Sequence, residues 1–146
     1  MTRPKRALFL CTGNSCRSQM ADGIINHDFA GAIEAVSAGT APHGLNPRAV
    51  AVMAEIDIDI SHNSSDHLDQ FKNETFDYVI SLCDDADEQC PPFFGGSKRL
   101  HMPFEDPPRA RDSAHEELGV YRRVRDEIRE QLGNFFRQEG IQEYVP

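Results

Sequence analysis

The apolar residues of this chain fall into short runs that alternate with longer stretches where they recur every three or four positions. The segments 7–11, 34–38, 77–83 and 98–104 predict four β-strands, and the first, apolar throughout, is typical of a strand covered on both faces. The periodic stretches predict amphipathic helices. Because strands and helices alternate, we expect a single α/β domain over residues 1–146, built on a parallel sheet.

The helices are placed by their apolar faces and their caps. The first is predicted to begin near Arg17, and the second at Asn46, which precedes a proline suited to a first helical turn. A short helix is predicted to follow, capped by Ser64 or Ser65. The last helix is the clearest, and its apolar face is formed by Leu118, Tyr121, Val124, Ile128, Leu132 and Phe135.

Composition and charge narrow the classes of partner. The chain has 146 residues and a net charge of −9, which disfavours nucleic acid and anionic membranes because both attract basic proteins. No stretch approaches the roughly 20 apolar residues of a membrane span, and the apolar residues 7–10 are too few for a signal peptide. We therefore expect a cytoplasmic protein, in which free thiols are the default and four cysteines indicate redox chemistry or catalysis more than structural disulfides.

The most informative motif joins the first strand to the first helix. Residues 11–18 read CTGNSCRS, a cysteine, five residues, an arginine and a serine. Such a loop can surround a tetrahedral oxyanion with backbone N–H groups, while Arg17 binds two of its oxygens. The helix N-terminus and Arg17 favour the thiolate form of Cys11, and Ser18 can donate a hydrogen bond to its sulfur. Substrate contacts are expected from Thr12, Gly13, Asn14, Ser15, Cys16, Arg17 and Ser18, with the thiol of Cys16 pointing away from the ligand.

Further reactive groups belong to the same edge of the predicted sheet. Cys83 and Asp106 follow the third and fourth strands, and the carboxyl ends of parallel strands share one edge. Asp106 is either a general acid toward an oxygen leaving the anion or an ordinary turn aspartate before a proline. If the strands of Cys11 and Cys83 are neighbours, their backbones lie about 5 Å apart, which suits a disulfide. Cys90 can loop back toward Cys83, or the two are unrelated thiols.

Together these motifs resemble a known family. Residues 10–21, the Cys83 and Cys90 pair and Asp106 are similar to the signatures of thioredoxin-coupled arsenate reductases, which share the low molecular weight tyrosine phosphatase fold. The resemblance covers most of the chain before Gln138. It implies a three-layer sandwich with a four-stranded parallel sheet of order 2-1-3-4 and helices on both faces.

The resemblance also implies a reaction. Cys11 attacks arsenate, Asp106 protonates the departing oxygen, and Cys83 releases arsenite by forming a disulfide with Cys11. Cys90 then attacks Cys83, and thioredoxin reduces the resulting Cys83–Cys90 disulfide.

A potassium site is a second implication. Some relatives carry one, although they often have a longer glutamate at the position of Asp22. The matching residues are Asn14, Asp22, Ser37 and Asp66. The resemblance implies no other cofactor, and we expect a monomer.

Two alternative functions stay open. A low molecular weight tyrosine phosphatase would use the same Cys11, Arg17 and Asp106 through a phosphocysteine, but it would give Cys83 and Cys90 no task. A sensing module would bind the oxyanion, or form the disulfide, without turnover. The two additional thiols favour arsenate reduction over the phosphatase, and sustained turnover separates a catalyst from a sensor.

Overall fold

A computed structural model describes residues 3–83, 96–107 and 117–145 of the chain. The elements within these ranges are β1 (Lys5–Leu10), α1 (Arg17–Asp28), β2 (Ile33–Ala38), α2 (Pro47–Ala54), a 3-10 turn (Leu68–Phe71), β3 (Phe76–Ser81), β4 (Gly96–His101) and α3 (Glu117–Gln138). Each predicted strand and helix is therefore present. No helix among the described residues is long and apolar enough to cross a bilayer.

The four strands form one parallel sheet in the order β2-β1-β3-β4, as the resemblance implied. The last residue of β1, Leu10, pairs with Ala38 of β2 on one side and with Ser81 of β3 on the other. The carboxyl end of β1 is therefore flanked by the ends of both neighbours. Whatever follows β1 lies between the loops that follow β2 and β3.

The sheet has an apolar cluster on each face because the side chains of β1 alternate. Ala7 and Phe9 belong to the larger cluster, which also contains the buried residues of all three α-helices. Leu8 and Leu10 belong to a second cluster that includes Leu68 of the 3-10 turn. Helical elements thus cover both faces of the sheet, and the predicted three-layer arrangement is confirmed.

The strands end earlier than their apolar runs suggested. β3 was expected to reach Cys83 but ends at Ser81, and β4 was expected to reach Phe104 but ends at His101. Pairing bonds persist beyond both ends, because Leu82 N–H donates to the Leu10 carbonyl at 2.8 Å and Phe104 N–H donates to the Leu82 carbonyl at 3.2 Å. The residues beyond the strands therefore stay aligned with the sheet edge.

The predicted cap of the short helix was wrong. His67 caps the 3-10 turn, with its Nδ1 accepting from the Asp69 N–H at 3.0 Å, and neither Ser64 nor Ser65 does so. The hydroxyl of Ser65 is turned instead toward the loop after β1. At the end of α3 the buried face is completed by Phe136, while the predicted Phe135 is only half-buried.

We expect Phe136→Ala to destabilise the fold by about 3–5 kcal/mol, because it leaves a cavity in the core. The Phe136 ring is 0% exposed and lies 5.7 Å from Phe29 and 5.3 Å from Tyr78 between centroids. Urea unfolding measures the loss. Phe135→Ala is the matched control and should cost about 1–2 kcal/mol. Equal losses in the two variants would contradict the assigned burial.

Candidate active site

The loop between β1 and α1, residues 11–16, is held from outside through its carbonyl groups. The Thr12 carbonyl accepts from the Ala41 N–H at 2.9 Å, and the Ser15 carbonyl accepts from the Asn46 N–H at 2.9 Å. Between them, the Gly13 carbonyl accepts from the His43 N–H at 3.2 Å. The chain that follows β2 therefore runs along the outer side of this loop, which we call the anion loop.

Because these carbonyls point outward, the N–H group of each following residue points toward the inside of the loop. All described peptide bonds are trans, and in a trans peptide the C=O of one residue and the N–H of the next point in opposite directions. Within the described ranges, none of these N–H groups donates to a protein acceptor. The Asn14 carbonyl is also held outward, by the side chains of Ser65 and Gln19. The inward N–H groups therefore belong to Gly13, Asn14, Ser15 and Cys16. They form a concave nest suited to an anion.

Close backbone contacts explain two special positions around the loop. A Cβ atom on Gly39, directly after β2, would lie 2.5 Å from the Thr12 carbonyl oxygen and 2.9 Å from the Asn14 nitrogen. Asn14 itself has a positive φ of 43°, in the left-handed region that asparagine tolerates better than most residues. Only glycine fits position 39 without moving the anion loop.

Cys11 lies at the start of the anion loop with its sulfur buried. Its Sγ is 2.9 Å from the Ser18 hydroxyl oxygen, and that hydroxyl donates to Asn14 Oδ1 at 2.8 Å. A hydroxyl has one proton, so Ser18 can give it to Asn14 or to the Cys11 thiolate. Formation of the thiolate therefore favours rotation of the Ser18 hydroxyl toward sulfur, as the sequence interpretation requires.

Arg17 connects the anion loop to the ends of two strands. It is 3% exposed, and its Nη1 donates to the Leu82 carbonyl at 3.4 Å and to the Phe104 carbonyl at 3.3 Å. Its Nε lies 3.8 Å from Oδ1 of Asp106. The structure thus brings Asp106 beside Arg17 at the carboxyl edge of the sheet, where a bound oxyanion would meet both.

Cys83 lies on the same edge, next to the anion loop. Its sulfur is buried and lies 4.0 Å from the hydroxyl oxygen of Thr12, the residue that follows Cys11. Cys11, Cys16 and Cys83 are all free thiols. Cys90 lies outside the described residues.

Cys16 has a different environment. Its side chain belongs to the larger apolar cluster, and burial, followed by the neighbouring charges of Cys11 and Asp106, raises the pKa of its thiol. A neutral, core-facing thiol is a poor nucleophile. Cys16 therefore contributes its backbone N–H to the anion loop and its side chain to the core.

Several residues of the site were missed from the sequence. The Ser65 hydroxyl reaches the Gly13 carbonyl at 3.2 Å and the Asn14 carbonyl at 2.9 Å. Gln19 Nε2 also donates to the Asn14 carbonyl at 3.1 Å. Asn63 Nδ2 in turn donates to Gln19 Oε1 at 3.1 Å. The contact of Ser65 could not be predicted from the sequence, because it joins residues 51 positions apart.

With this geometry established, comparison with known proteins identifies the family. Residues 6–144 match the model of low molecular weight phosphotyrosine protein phosphatases. The chain belongs to the low molecular weight phosphotyrosine protein phosphatase family. The match spans the anion loop, Cys83 and Asp106, so the family resemblance proposed from the sequence is confirmed.

Relatives within this family include arsenate reductases. That of Shouchella clausii (strain KSM-K16) is 47% identical over 129 residues, which cover 87% of this chain and 91% of its own. That of Bacillus subtilis (strain 168) is 46% identical over 127 residues, with the same shares of 87% and 91%. A solved arsenate reductase in the phosphate binding state has a TM-score of 0.80 at 34% identity, covering 94% of this chain and 99% of its own. A low molecular weight tyrosine phosphatase from T. tengcongensis has a TM-score of 0.69 at 25% identity, covering 92% and 99%.

Beside the anion loop of this phosphatase-family chain, oxygen atoms converge on Asn14. Its Nδ2 lies 3.4 Å from the Ser37 carbonyl oxygen and 3.4 Å from the Asp66 carbonyl oxygen. The Asp22 carboxylate accepts from the Ser37 hydroxyl at 3.0 Å and from Asn26 Nδ2 at 2.8 Å. The four residues matched to a potassium site are therefore linked by hydrogen bonds.

Most of the polar atoms contributed by these four residues are oxygens, and one of them belongs to the carboxylate of Asp22. Burial, with a smaller contribution from the Asp66 charge, raises the pKa of Asp22 from its ordinary value of 3.8 to about 6, even though hydrogen bonds from Ser37 and Asn26 oppose the shift. Within the described ranges, no lysine or arginine pairs with Asp22. Carbonyl and carboxylate oxygens are the ligands that hard cations prefer. Asn14 is the exception, since it presents its amide nitrogen to the two carbonyls.

The raised pKa of Asp22 predicts a dependence of stability on pH. Below pH 3.8 Asp22 is mostly protonated in both the folded and the unfolded chain. Between pH 3.8 and about 6, Asp22 ionises in the unfolded chain but stays protonated in the folded one, so the free energy of unfolding falls as the pH rises. Above pH 6 the folded state carries the full cost of the buried charge. Asp22→Asn should therefore stabilise the protein by about 2 kcal/mol more at about pH 7.5 than at about pH 4.5.

Urea unfolding of both proteins in a buffer without potassium measures this difference. Asp69→Asn, at an exposed aspartate, is the control, and its effect should not change with pH to a similar extent. A constant gap between Asp22→Asn and the parent protein would contradict the burial of that charge.

Proposed function

We propose that this protein reduces arsenate to arsenite. The observation that carries the proposal is the Cys83 thiol, which lies 4.0 Å from Thr12 Oγ1 beside the nucleophilic Cys11. The inward N–H groups and Arg17 suit a tetrahedral oxyanion. The arsenate reductases at 46–47% identity support arsenate as that anion.

The first step of the proposed reaction is covalent. The Cys11 thiolate attacks arsenic, a sulfur–arsenic bond forms, and a hydroxyl group of arsenate takes a proton from Asp106 and leaves as water. Arg17 and the loop N–H groups hold the remaining oxygens and their negative charge. Arsenic stays in its pentavalent state at this point.

The second step transfers electrons. The Cys83 thiolate attacks the Cys11 sulfur, a disulfide forms, and the electron pair of the sulfur–arsenic bond remains on arsenic. Two thiols are oxidised and arsenic(V) becomes arsenic(III), which leaves as arsenite. The placement of Cys83 next to the anion loop supports this step.

The last step restores Cys11. Cys90 attacks Cys83, and thioredoxin, a dithiol reductant, reduces the Cys83–Cys90 disulfide at the expense of its own thiols. This part of the proposal rests on the sequence resemblance. The cytoplasmic setting expected from the sequence would supply thiols that begin reduced.

The phosphatase alternative shares the nucleophile, the arginine and the acid. The two functions differ in their redox chemistry, because thiols reduce arsenic(V) but not phosphorus(V). Phosphate bound in the same loop should therefore leave the thiols unchanged. A second buried thiol beside the loop has a task only in the reductase. Turnover of a phosphotyrosine peptide that matched arsenate turnover would reverse the assignment.

We expect serine variants of the three cysteines to stop the proposed reaction at different steps. After one arsenate turnover, mass spectrometry should find a Cys83–Cys90 disulfide in the parent protein, a Cys11–Cys83 disulfide in Cys90→Ser, and no protein disulfide in Cys83→Ser or Cys11→Ser. NADPH-linked turnover with thioredoxin and thioredoxin reductase should fall at least about 10³-fold in each variant.

Phosphate in place of arsenate is the matched control, and it should leave all thiols reduced. Unchanged thiols after arsenate would contradict arsenate reduction. A single disulfide without sustained NADPH oxidation would indicate the sensing module instead. A relay that turns over with another dithiol but not with thioredoxin would remove thioredoxin from the proposal.

We also propose that Asn14, Asp22, Ser37 and Asp66 hold potassium. Potassium chloride should raise the melting temperature of the parent protein above that in choline chloride at equal ionic strength, because a cation would offset the buried Asp22 charge. The increment should disappear in Asp22→Asn and persist in Asp69→Asn. Equal increments in all three proteins would contradict a specific site.

A further inference from the structure

The carbonyls of the anion loop are held by two kinds of donor. Those of Thr12 and Ser15 are bound by backbone N–H groups, which no side-chain substitution removes. The Asn14 carbonyl is bound only by side chains within the described ranges, namely Ser65 at 2.9 Å and Gln19 at 3.1 Å. The Gly13 carbonyl accepts from two donors, the Ser65 hydroxyl at 3.2 Å and the His43 backbone N–H at 3.2 Å.

This dependence falls on the two residues of the loop whose backbone conformation most needs support from contacts. Gly13 has no Cβ, so its backbone is freer than that of any other residue. Asn14 adopts a φ of 43°, a conformation that costs free energy and persists only where contacts support it. Loss of the Ser65 hydroxyl would leave one donor to each carbonyl among the described residues, the His43 N–H to Gly13 and Gln19 Nε2 to Asn14. The two peptide units around Asn14 would then be held less firmly.

Rotation of these peptides would matter for anion binding because each carries a donor. The Gly13 carbonyl and the Asn14 N–H belong to one peptide unit, and the Asn14 carbonyl and the Ser15 N–H belong to the next. Holding the two carbonyls outside keeps the two N–H groups inside. Ser65 lies outside the loop and cannot touch the anion directly while it makes these contacts.

We propose that Ser65 is a positioning residue for oxyanion binding. Its single hydroxyl proton is shared in a three-centre hydrogen bond between the Asn14 carbonyl at 2.9 Å and the more distant Gly13 carbonyl at 3.2 Å, and this bond holds both carbonyls outward so that the Asn14 and Ser15 N–H groups face the anion. The inference rests on the proposed function only in requiring that the anion loop bind a tetrahedral oxyanion. Ser65 is half-buried and acts through the loop backbone.

The variants that test the role are Ser65→Ala, Ser65→Thr and Ser61→Ala. The first removes the hydroxyl and the second keeps it. Ser61 is an exposed serine four positions earlier whose backbone N–H contacts Asp59, so Ser61→Ala is the matched control. Reduced proteins are titrated with inorganic phosphate, and protection of Cys11 from iodoacetamide gives the apparent Kd.

Phosphate should bind about threefold to tenfold more weakly to Ser65→Ala, as expected for the loss of one hydrogen bond that organises the site. Ser65→Thr and Ser61→Ala should bind within about twofold of the parent protein. The KM for arsenate should rise in Ser65→Ala in the same proportion, with a smaller effect on kcat. Unchanged phosphate binding in Ser65→Ala, or equal weakening in Ser65→Thr, would overturn the proposal.

Amide NMR gives a second readout that a general loss of stability would not reproduce. In the parent protein, phosphate should shift the amide signals of Gly13, Asn14, Ser15 and Cys16. In Ser65→Ala, the shifts of Asn14 and Ser15 should shrink while those of Gly13 and Cys16 persist. Uniform changes at all four amides would overturn a selective role. If Ser65→Ala is partly unfolded, both measurements are repeated at lower temperature, where its folded state is more populated.

Failure of this inference is distinguishable from failure of the proposed function. Phosphate binding that depends on Ser65 in a protein that does not reduce arsenate would uphold the positioning role and reject the reductase. Arsenate reduction that is indifferent to Ser65→Ala would do the reverse. A parent protein that binds neither phosphate nor arsenate would overturn both.

Discussion

Hydrogen bonds to the outer side of residues 12–15 determine what the inner side can bind. Each carbonyl that is turned outward by a neighbouring segment turns the next N–H inward, since the peptide unit is rigid. The donors come from the chain after β2, from α1 and from the segment before the 3-10 turn. This local arrangement explains how a chain of net charge −9 can hold an anion against its overall field.

Strand order supplies the second constraint. Because β1 lies between β2 and β3, the loop after β1 meets the end of each neighbour, and Cys83 comes to lie beside Thr12. Arg17 then links the ends of β3 and β4 through the carbonyls of Leu82 and Phe104. One buried guanidinium thus holds together the segments that carry the second thiol and the candidate acid.

The sequence predicts what is local and what lies at strand ends. The roles assigned to Arg17 and Ser18 depend on spacing within one loop, and Cys83 could be placed because parallel strands end at one edge. Ser65 could not be placed, because a serine before a short helix is typical of a cap and nothing in the sequence shows that its hydroxyl faces a loop 51 positions away. His67 could take over the cap because its Nδ1 accepts a backbone N–H as a serine oxygen would.

Asn14 takes part in the hydrogen bonds that shape the anion loop and in those that reach the Cys11 sulfur. Its carbonyl is held from outside and its N–H faces the inner side of the loop. Its Nδ2 points at two backbone carbonyls, and its Oδ1 accepts the proton of Ser18. That same proton is the one the Cys11 thiolate would attract across 2.9 Å. Ionisation of the nucleophile and the hydrogen bonding of Asn14 therefore compete for one hydroxyl, so a change in the side-chain orientation of Asn14 alters the donor available to sulfur. In the proposed reaction, anion binding and formation of the Cys11 thiolate therefore depend on the same few contacts of Asn14 and Ser18, so a change at either residue should affect both properties.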